Sequence, residues 1–305
     1  MTPPASESGA AGTVRRAAAA KLNLYLHVVG RRADGYHVLD SLVAFASVHD
    51  TITASPADEL TLAADGPFAG TLEAQTDNLV LQAARRLAEA AGLKAGARIR
   101  LMKRLPVASG LGGGSADAAA TLEALTRLWG LEVPRDRLVE LALEIGADVP
   151  VCLLGRAAFI GGIGDEIEPA PALPDAWVVL ANPGRPLSTP QVFAARSGPF
   201  NAPARFRERA RDAAELAALL LERHNDLTSA AVTLCPEVGA AIGALTRAPG
   251  CRLARMSGSG ATCFGLFEDE GAARRAAADL EAAEPGWWVA PARLVDDTNA
   301  LEPAP

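Results

Sequence analysis

The sequence predicts an α+β protein in two domains, and three observations carry that prediction. A period-2 stretch, "KLNLYLHV", sets Leu22, Leu24, Leu26 and Val28 against Lys21, Asn23, Tyr25 and His27, the pattern of a half-buried strand. Helical periodicities are intermixed with further strand-like runs, without a strict strand–helix–strand rhythm. A proline-rich stretch, "GDEIEPAPALPDA", interrupts the pattern near mid-chain. We place the division there, as residues 13–168 and 169–305, with the small, polar residues 1–12 as a floppy tail.

Taken in order, the first strand is followed by Asp34-Gly35, a turn signal, and by a second strand, which together read as a hairpin. Short β-like pieces continue through "DTITASPADELTLAAD". "DNLVLQAARRLAEAAGL" is a helix, with Asp77 or Asn78 as cap and Gly92 as stop. "ARIRLMKRLP" is a strand ending at Pro106. Ala118, Leu122, Leu125 and Trp129 then recur at helical spacing before Gly130, and "PRDRLVELALEIG" is a further helix with Pro134 near its first turn and Gly146 as its stop. "PDAWVVLANPG" is a strand. "RFRERARDAAELAALLLERHNDL" reads as one helix with a charged, solvated face. "MSGSGATCFGLF" sets Gly258 and Gly260 between two strand-like pieces, and "DEGAARRAAADLEAA" is the last long helix, with Trp287-Trp288 packing at its end. There are no internal repeats.

The chain has 305 residues, 50% of them hydrophobic, enough for a substantial core. No run approaches the ~18 apolar residues of a membrane span, and the N-terminus lacks the apolar region of a secretory signal. A net charge of −7 argues against nucleic-acid or anionic-membrane partners, so any polyanionic ligand must be met by local positive field. Cys152, Cys235, Cys251 and Cys263 show no metal-ligand spacing and read as buried reduced thiols of a cytoplasmic protein. His27, His49 and His224 read as structural or surface residues. Lys21, Lys94 and Lys103 are the only lysines beside 26 arginines, which raises the prior that each retained lysine serves where a compact ammonium is needed.

The informative stretch is "LPVASGLGGGSADAAATL". A strand, a glycine-rich loop (Gly110, Gly112, Gly113, Gly114) and a helix form the layout of an anion site, where free N–H groups and the helix dipole favour negative charge. Two common versions fail. A P-loop needs Lys after its last Gly, and here Ser115 follows Gly114. The dinucleotide fingerprint GxGxxG fails at its sixth position, again Ser115.

"PVASGLGGGSADAAA" instead resembles the phosphate loop of the GHMP kinases (galactose, homoserine, mevalonate and phosphomevalonate kinases). "AKLNLYLHV" and "SGSGATCFGLF" resemble that family's N-terminal strand and its third, glycine-rich motif, in the family's order. The resemblance spans Lys21 to Phe267. It implies an N-terminal nucleotide-binding domain, a C-terminal substrate-side domain, ATP as co-substrate and Mg2+. "GYH" after the hairpin turn and "GADVPVCLLG" are similar to one branch of the family, whose alcohol substrate carries a cytidine diphosphate and serves non-mevalonate isoprenoid synthesis. The alternatives are another small-molecule kinase of the family, of homoserine or isopentenyl phosphate type, or a nucleotide-binding regulator without catalysis. A monomer or homodimer would suit any of these.

The resemblance also implies roles. Asp148 follows Gly146 in a loop stiffened by Pro150 and would accept the alcohol's proton; without the family pattern, a turn-capping aspartate would be the simpler reading. Lys21 would keep that carboxylate ionised and stabilise developing charge. Asn23, on the same strand face, would touch the substrate. Tyr36 and His37 would hold a pyrimidine, with Phe193 on its other face and Thr189 nearby, although core packing is the plainer role for Phe193. For ATP, the loop residues Pro106, Val107, Ala108, Ser109, Gly110, Leu111, Gly112, Gly113, Gly114, Ser115 and Ala116 would wrap the phosphates. Asn78 and Lys103 would lie near the nucleotide, and Ser115 would reach the metal. Asp117, awkward beside a triphosphate, would point away or face the metal.

Overall fold

The computed structural model describes residues 12–71 and 78–304. Most of the expected tail, and Asp77 as an alternative cap, lie outside the described residues. The hairpin is the spine of the fold. β1 (Val14–Arg31) turns at Asp34-Gly35 into β2 (His37–Ala57), and the two pair antiparallel from Val14↔Ala54 to Arg31↔His37, with three register shifts. What reads in sequence as separate pieces after Asp50 is largely one 21-residue strand.

β3 (Leu60–Asp65) is followed by α1 (Leu79–Ala90), capped by Asn78 Oδ1 accepting from Val80 N at 2.9 Å, and by β4 (Gly96–Met102), which pairs parallel to β3. Then come α2 (Gly113–Leu128), α3 (Arg135–Ile145), α4 (Val149–Leu154), β5 (Ala158–Gly161) and β6 (Glu166–Pro169). The later half contains β7 (Trp177–Asn182), α5 (Thr189–Ala195), α6 (Ala213–Leu221), α7 (Thr228–Leu234), α8 (Pro236–Arg247), β8 (Leu253–Met256), β9 (Cys263–Phe267), α9 (Glu270–Ala283) and β10 (Trp288–Val295).

One edge of β2 faces β1. The other is divided among β5 at Ser41–Val43, β10 at Phe45 and Ala46, and β4 at Thr51–Ala57. β10 also pairs with β7, which pairs with β9 and β9 with β8, so the C-terminal strand joins the two halves into one sheet. α1 to α4 cover the first half of the sheet around Phe45, Ile52, Leu87 and Leu122, while α7 to α9 pack on Val179, Cys263 and Phe267.

Several expectations need correction. β1 is not half-buried: every residue from Lys21 to Val28 is buried, because later segments cover its polar face. Leu111 O accepts from Lys21 N at 2.8 Å, Ser257 Oγ from Asn23 N at 3.1 Å, and His27 lies between the Tyr25 and His224 rings. The arginine-rich stretch is not a single helix. Its first part is irregular, and α6 begins only after Asp212, whose side chain accepts from Glu215 N. Arg205 leaves the helix pattern to bond Asp40, at 2.9 Å. The loop expected around Asp148 is the short turn between α3 and α4, and Asp148 ends it as the N-cap of α4, where Pro150 in the first turn needs no intrahelical N–H bond. The sequence reading marks no strand over 288–295, where Trp288 opens β10 and Pro291 breaks the usual strand composition. Pro291 is tolerated because β2 pairs with β10 only at Leu294 and Val295. Cys152, Cys235 and Cys263 are buried free thiols, but Cys251 is only half-buried.

The shortened α6 makes a direct test. Ala213, Leu216, Ala217 and Leu220 form its buried stripe, whereas Leu221 is 66% exposed. Leu216→Ala should cost about 2–5 kcal/mol in denaturant unfolding, and Leu221→Ala within about 0.5 kcal/mol. Equal costs would mean that the helix presents another face.

Candidate functional site

A cavity of about 460 Å3 opens where β1, the glycine loop, the N-termini of α2 and α5, and the β8–β9 loop meet. The glycines that build it differ in what they meet. A Cβ on Gly110 would lie 2.4 Å from Ser257 O, and one on Gly112 would lie 2.8 Å from Lys21 Cε; both residues have positive φ, 79° and 61°. These two glycines permit backbone and lysine to pass close by. Gly114 differs: it is exposed, helical, and a Cβ there would come no nearer than 3.4 Å to Leu79 Cδ1. Nothing in the protein forbids a side chain at Gly114, yet it faces the cavity.

Positive φ recurs at alternate positions, Ala108 (51°), Gly110 and Gly112. Such alternation turns successive N–H groups toward one side, the concavity that binds anions. Ala108 pays for it, since an L residue in this region is strained by about 1–2 kcal/mol. α2 begins at once behind the loop, and its N-cap, Gly112, has no side chain to satisfy the first-turn N–H groups.

The second glycine motif is fastened to the first. Ser257 Oγ donates to Gly110 O at 2.9 Å, and Thr262 N donates to Ser109 O at 3.0 Å. Asn225 Nδ2 donates to Met256 O and Gly258 O at 2.9 and 2.8 Å, holding the start of the β8–β9 turn.

At the far wall, Lys21 Nζ stands 2.9 Å from Asp148 Oδ2 and 3.2 Å from Asn23 Oδ1. The Lys21 side chain is almost enclosed, whereas that of Asp148 is 43% exposed, so the ammonium is fixed and the carboxylate remains open to a ligand. Asn23 is oriented in turn by donating to Ser41 Oγ at 2.8 Å. Burial pushes the neighbouring Cys152 thiol up, as does the Asp148 carboxylate, so this cysteine stays protonated.

Of the residues singled out in sequence, Lys21, Asn23, Asn78, Lys103, Pro106, Val107, Ala108, Ser109, Gly110, Gly112, Gly113, Gly114, Ser115, Asp148, Thr189 and Phe193 line this one cavity. Leu111 and Ala116 are buried behind the loop. Tyr36 lies at the hairpin tip, 63% exposed and away from the cavity wall. His37 stacks on Phe193, with ring centroids 5.2 Å apart and planes at 26°. Burial, helped by Arg31 and Arg196, holds the His37 imidazole below its usual range and hence neutral near pH 7.

Asp117 is also among the residues lining the cavity, with its side chain turned inward, away from the open space. It is buried with Lys103, whose Nζ lies 2.6 Å from both Asp117 Oδ2 and Asp50 Oδ2. Burial works against the Lys103 ammonium, but the two carboxylates outweigh it and raise its pKa. Sequence reasoning missed Asp50, for which no local pattern exists, and Leu26, Leu39 and Leu227, apolar wall residues indistinguishable in sequence from core. Gly258 and Ser259 belong to a motif already noted, and its resemblance to the family's third, glycine-rich motif was the available signal.

Two family models match the chain, GHMP kinases N terminal domain over residues 78–156 and GHMP kinases C terminal over 206–285. This chain belongs to the GHMP kinase family. Among its relatives, the 4-diphosphocytidyl-2-C-methyl-D-erythritol kinase of Rhodospirillum rubrum is 54% identical over 97% of both chains. That of Paramagnetospirillum magneticum is 56% identical over 91% of this chain and 97% of its own. A crystal structure of 4-(cytidine 5'-diphospho)-2C-methyl-D-erythritol kinase superposes with TM-score 0.74 at 40% identity, covering 92% of this GHMP kinase and 98% of the other chain. Homoserine kinase from Cytophaga hutchinsonii superposes about as well, TM-score 0.73 over 97% and 99%, but at 16% identity, which speaks for the fold alone.

The two kinds of glycine separate experimentally. In this GHMP kinase, Gly112→Ala should lower the melting temperature of the ligand-free protein, because it meets both a positive φ and the Lys21 stem. Gly114→Ala should leave that temperature unchanged or slightly raised, since alanine is the better helix former by up to about 1 kcal/mol. The same substitution should weaken binding of whatever anion the cavity takes, as read by titration with a nucleoside triphosphate.

Proposed function

We propose that this protein transfers the γ-phosphate of ATP to the 2-hydroxyl of 4-diphosphocytidyl-2-C-methyl-D-erythritol, giving the 2-phosphate and ADP. The observation that carries this reading is the Lys21–Asp148 pair, 2.9 Å apart, on the wall of a cavity whose other side is a glycine loop at a helix N-terminus. The relatives above, alike over nearly the whole chain, supply the substrate.

The chemistry follows from position and charge. The loop N–H groups and the α2 dipole hold the triphosphate without neutralising the acidic protein elsewhere. Asp148 orients the alcohol and accepts its proton as the new P–O bond forms. Lys21, 2.9 Å from Asp148, orients that carboxylate and stabilises the developing alkoxide and phosphoryl charge. Asn23 fixes the lysine's direction and stands ready for a substrate hydroxyl. Phe193 and neutral His37 offer the base an aromatic face beside a donor and an acceptor.

Mg2+ keeps several waters and usually takes one or two protein groups besides nucleotide phosphates. No cluster of three or more His, Cys, Asp or Glu side chains suited to a metal occurs among the described residues. The Ser115 hydroxyl, in the first turn of α2 on the cavity wall, therefore fits an ion carried chiefly by the phosphates. When bound, the ion would neutralise charge on the transferred group.

The test is ADP release with purified protein, ATP and the cytidylated methylerythritol, with homoserine and mevalonate as controls. Turnover only with the controls would overturn the proposal. Asp148→Asn should lower kcat about 100- to 10,000-fold with little change in ATP affinity. Lys21→Arg should be nearly as harmful, since a planar fork cannot take the place of an enclosed ammonium.

Phe193→Ala should raise KM for the cytidylated substrate and leave KM for ATP alone. Stacking on a base is worth roughly 1–3 kcal/mol, which corresponds to about 5- to 150-fold. Tyr36→Ala should do the same only if the hairpin tip folds over the bound base. An equal rise in both KM values for Phe193→Ala would make that ring a packing residue.

A further inference from the structure

Asp50 lies in β2 just after a register shift against β1, wholly buried, and it is not among the residues lining the cavity. Each of its oxygens is nevertheless committed to the segment that enters the glycine loop. Oδ1 accepts from Arg104 N at 2.5 Å and from Leu105 N at 2.9 Å, and Oδ2 accepts from Lys103 Nζ at 2.6 Å. The same ammonium donates to Asp117 Oδ2 at 2.6 Å on α2. A Cβ placed on Gly113, the first residue of α2, would lie 3.1 Å from Lys103 Nζ and 3.7 Å from Asp50 Oδ2. The cluster therefore sits directly beneath the turn where loop becomes helix.

Two carboxylates around one buried ammonium are an expensive arrangement if the aim is stability alone, because desolvation can outweigh the attraction. What the arrangement does is geometric. It ties three elements, β2, the loop entry and α2, to a single compact charge, and it binds backbone N–H groups of the loop entry directly. We propose that Asp50 is a positioning residue for the reaction: through the Lys103 ammonium and the N–H groups of Arg104 and Leu105, it sets where the phosphate loop stands. This rests on the reading of that loop as the ATP site.

Asp50 and Asp117 share the ammonium, but only Asp50 also holds loop backbone, and their asparagine variants should differ accordingly. Asp50→Asn leaves Lys103 and Asp117 as a one-to-one pair, so no unpaired charge is left buried. Its amide can accept from backbone or face the ammonium with a donor, and the link between the two is lost. Asp117→Asn leaves all of Asp50's bonds in place.

The measurement is amide hydrogen exchange over residues 106–115 in the nucleotide-free protein, beside KM for ATP and for the cytidylated substrate. Asp50→Asn should speed exchange in the loop and raise KM for ATP about tenfold or more, since small misplacements of a binding element are costly. KM for the second substrate and exchange in α9 should stay near wild type. Asp117→Asn should leave the loop's exchange and KM for ATP close to wild type. Asp50→Glu, which keeps the charge but displaces it by one methylene, should move the same two readouts as Asp50→Asn.

Wild-type exchange and KM in Asp50→Asn, or equal effects from both asparagine variants, would overturn the proposal and reduce the cluster to packing. Faster loop exchange with no change in KM for ATP would instead overturn the nucleotide reading of the loop while upholding the hold of Asp50 on it.

Discussion

Backbone meets backbone between Gly110 and residues 257–260, and the rest of the site depends on that contact. A single Cβ at Gly110 would fall 2.4 Å from Ser257 O and 2.9 Å from Gly260 O. With the contact in place, Ser257 can bond both Gly110 O and Asn23 N, so that two loops far apart in sequence close on one strand. β1 is thereby enclosed on both faces, and Lys21 is held in one direction where a half-exposed lysine would sample many. The stiffness of the site comes from this enclosure, since Lys21 would otherwise lose considerable side-chain entropy on binding anything.

The enclosure also explains the sparing use of charge. The protein is acidic overall, yet the cavity presents N–H groups, the N-termini of α2 and α5 and two ammonium groups, the ammonium groups each with defined partners. Lys21 is shared with Asp148, at the edge where a ligand can enter. Lys103 is shared with Asp50 and Asp117, where solvent hardly reaches. The two lysines thus sit differently, one at the open wall of the cavity and the other within the scaffold. The scarcity of lysine drew attention to both, but it pointed equally to Lys94, which is exposed and away from the cavity lining, and it could not tell their surroundings apart. Only burial and partners do that.

The hairpin and the long helices were legible because they answer to local rules: Asp34-Gly35 for the turn, Asn78 and Gly92 for the ends of α1, and the i, i+3, i+4 apolar recurrence of α2. The errors came where tertiary contacts override local preference. Arg205 joins Asp40 in place of a helical neighbour, and Phe206 tucks into the core, so the arginine-rich stretch unwinds ahead of Asp212. β10 carries Pro291 at its centre, which masks the strand-forming Trp288, Val289 and Val295, yet it pairs with both β7 and β2, because β2 reaches it only beyond the proline.

The sequence by itself determined the glycine loop before a helix and the family to which it belongs, and it singled out Lys21, Lys103 and Asp148 as candidates that the structure brings to one cavity, because these depend on residue type and order along the chain. It could not determine which glycine yields to a neighbour and which to a ligand, that Asp117 turns inward to Lys103, or that Asp50 is concerned at all. Those were decided by the tertiary structure. Asp50 is separated from Lys103 by 53 positions and from Asp117 by 67, and no periodicity links residues at such distances. Only the crossing of β2, the loop entry and α2 brings the Asp50 and Asp117 carboxyl groups each to 2.6 Å from the Lys103 ammonium, where solvent hardly reaches.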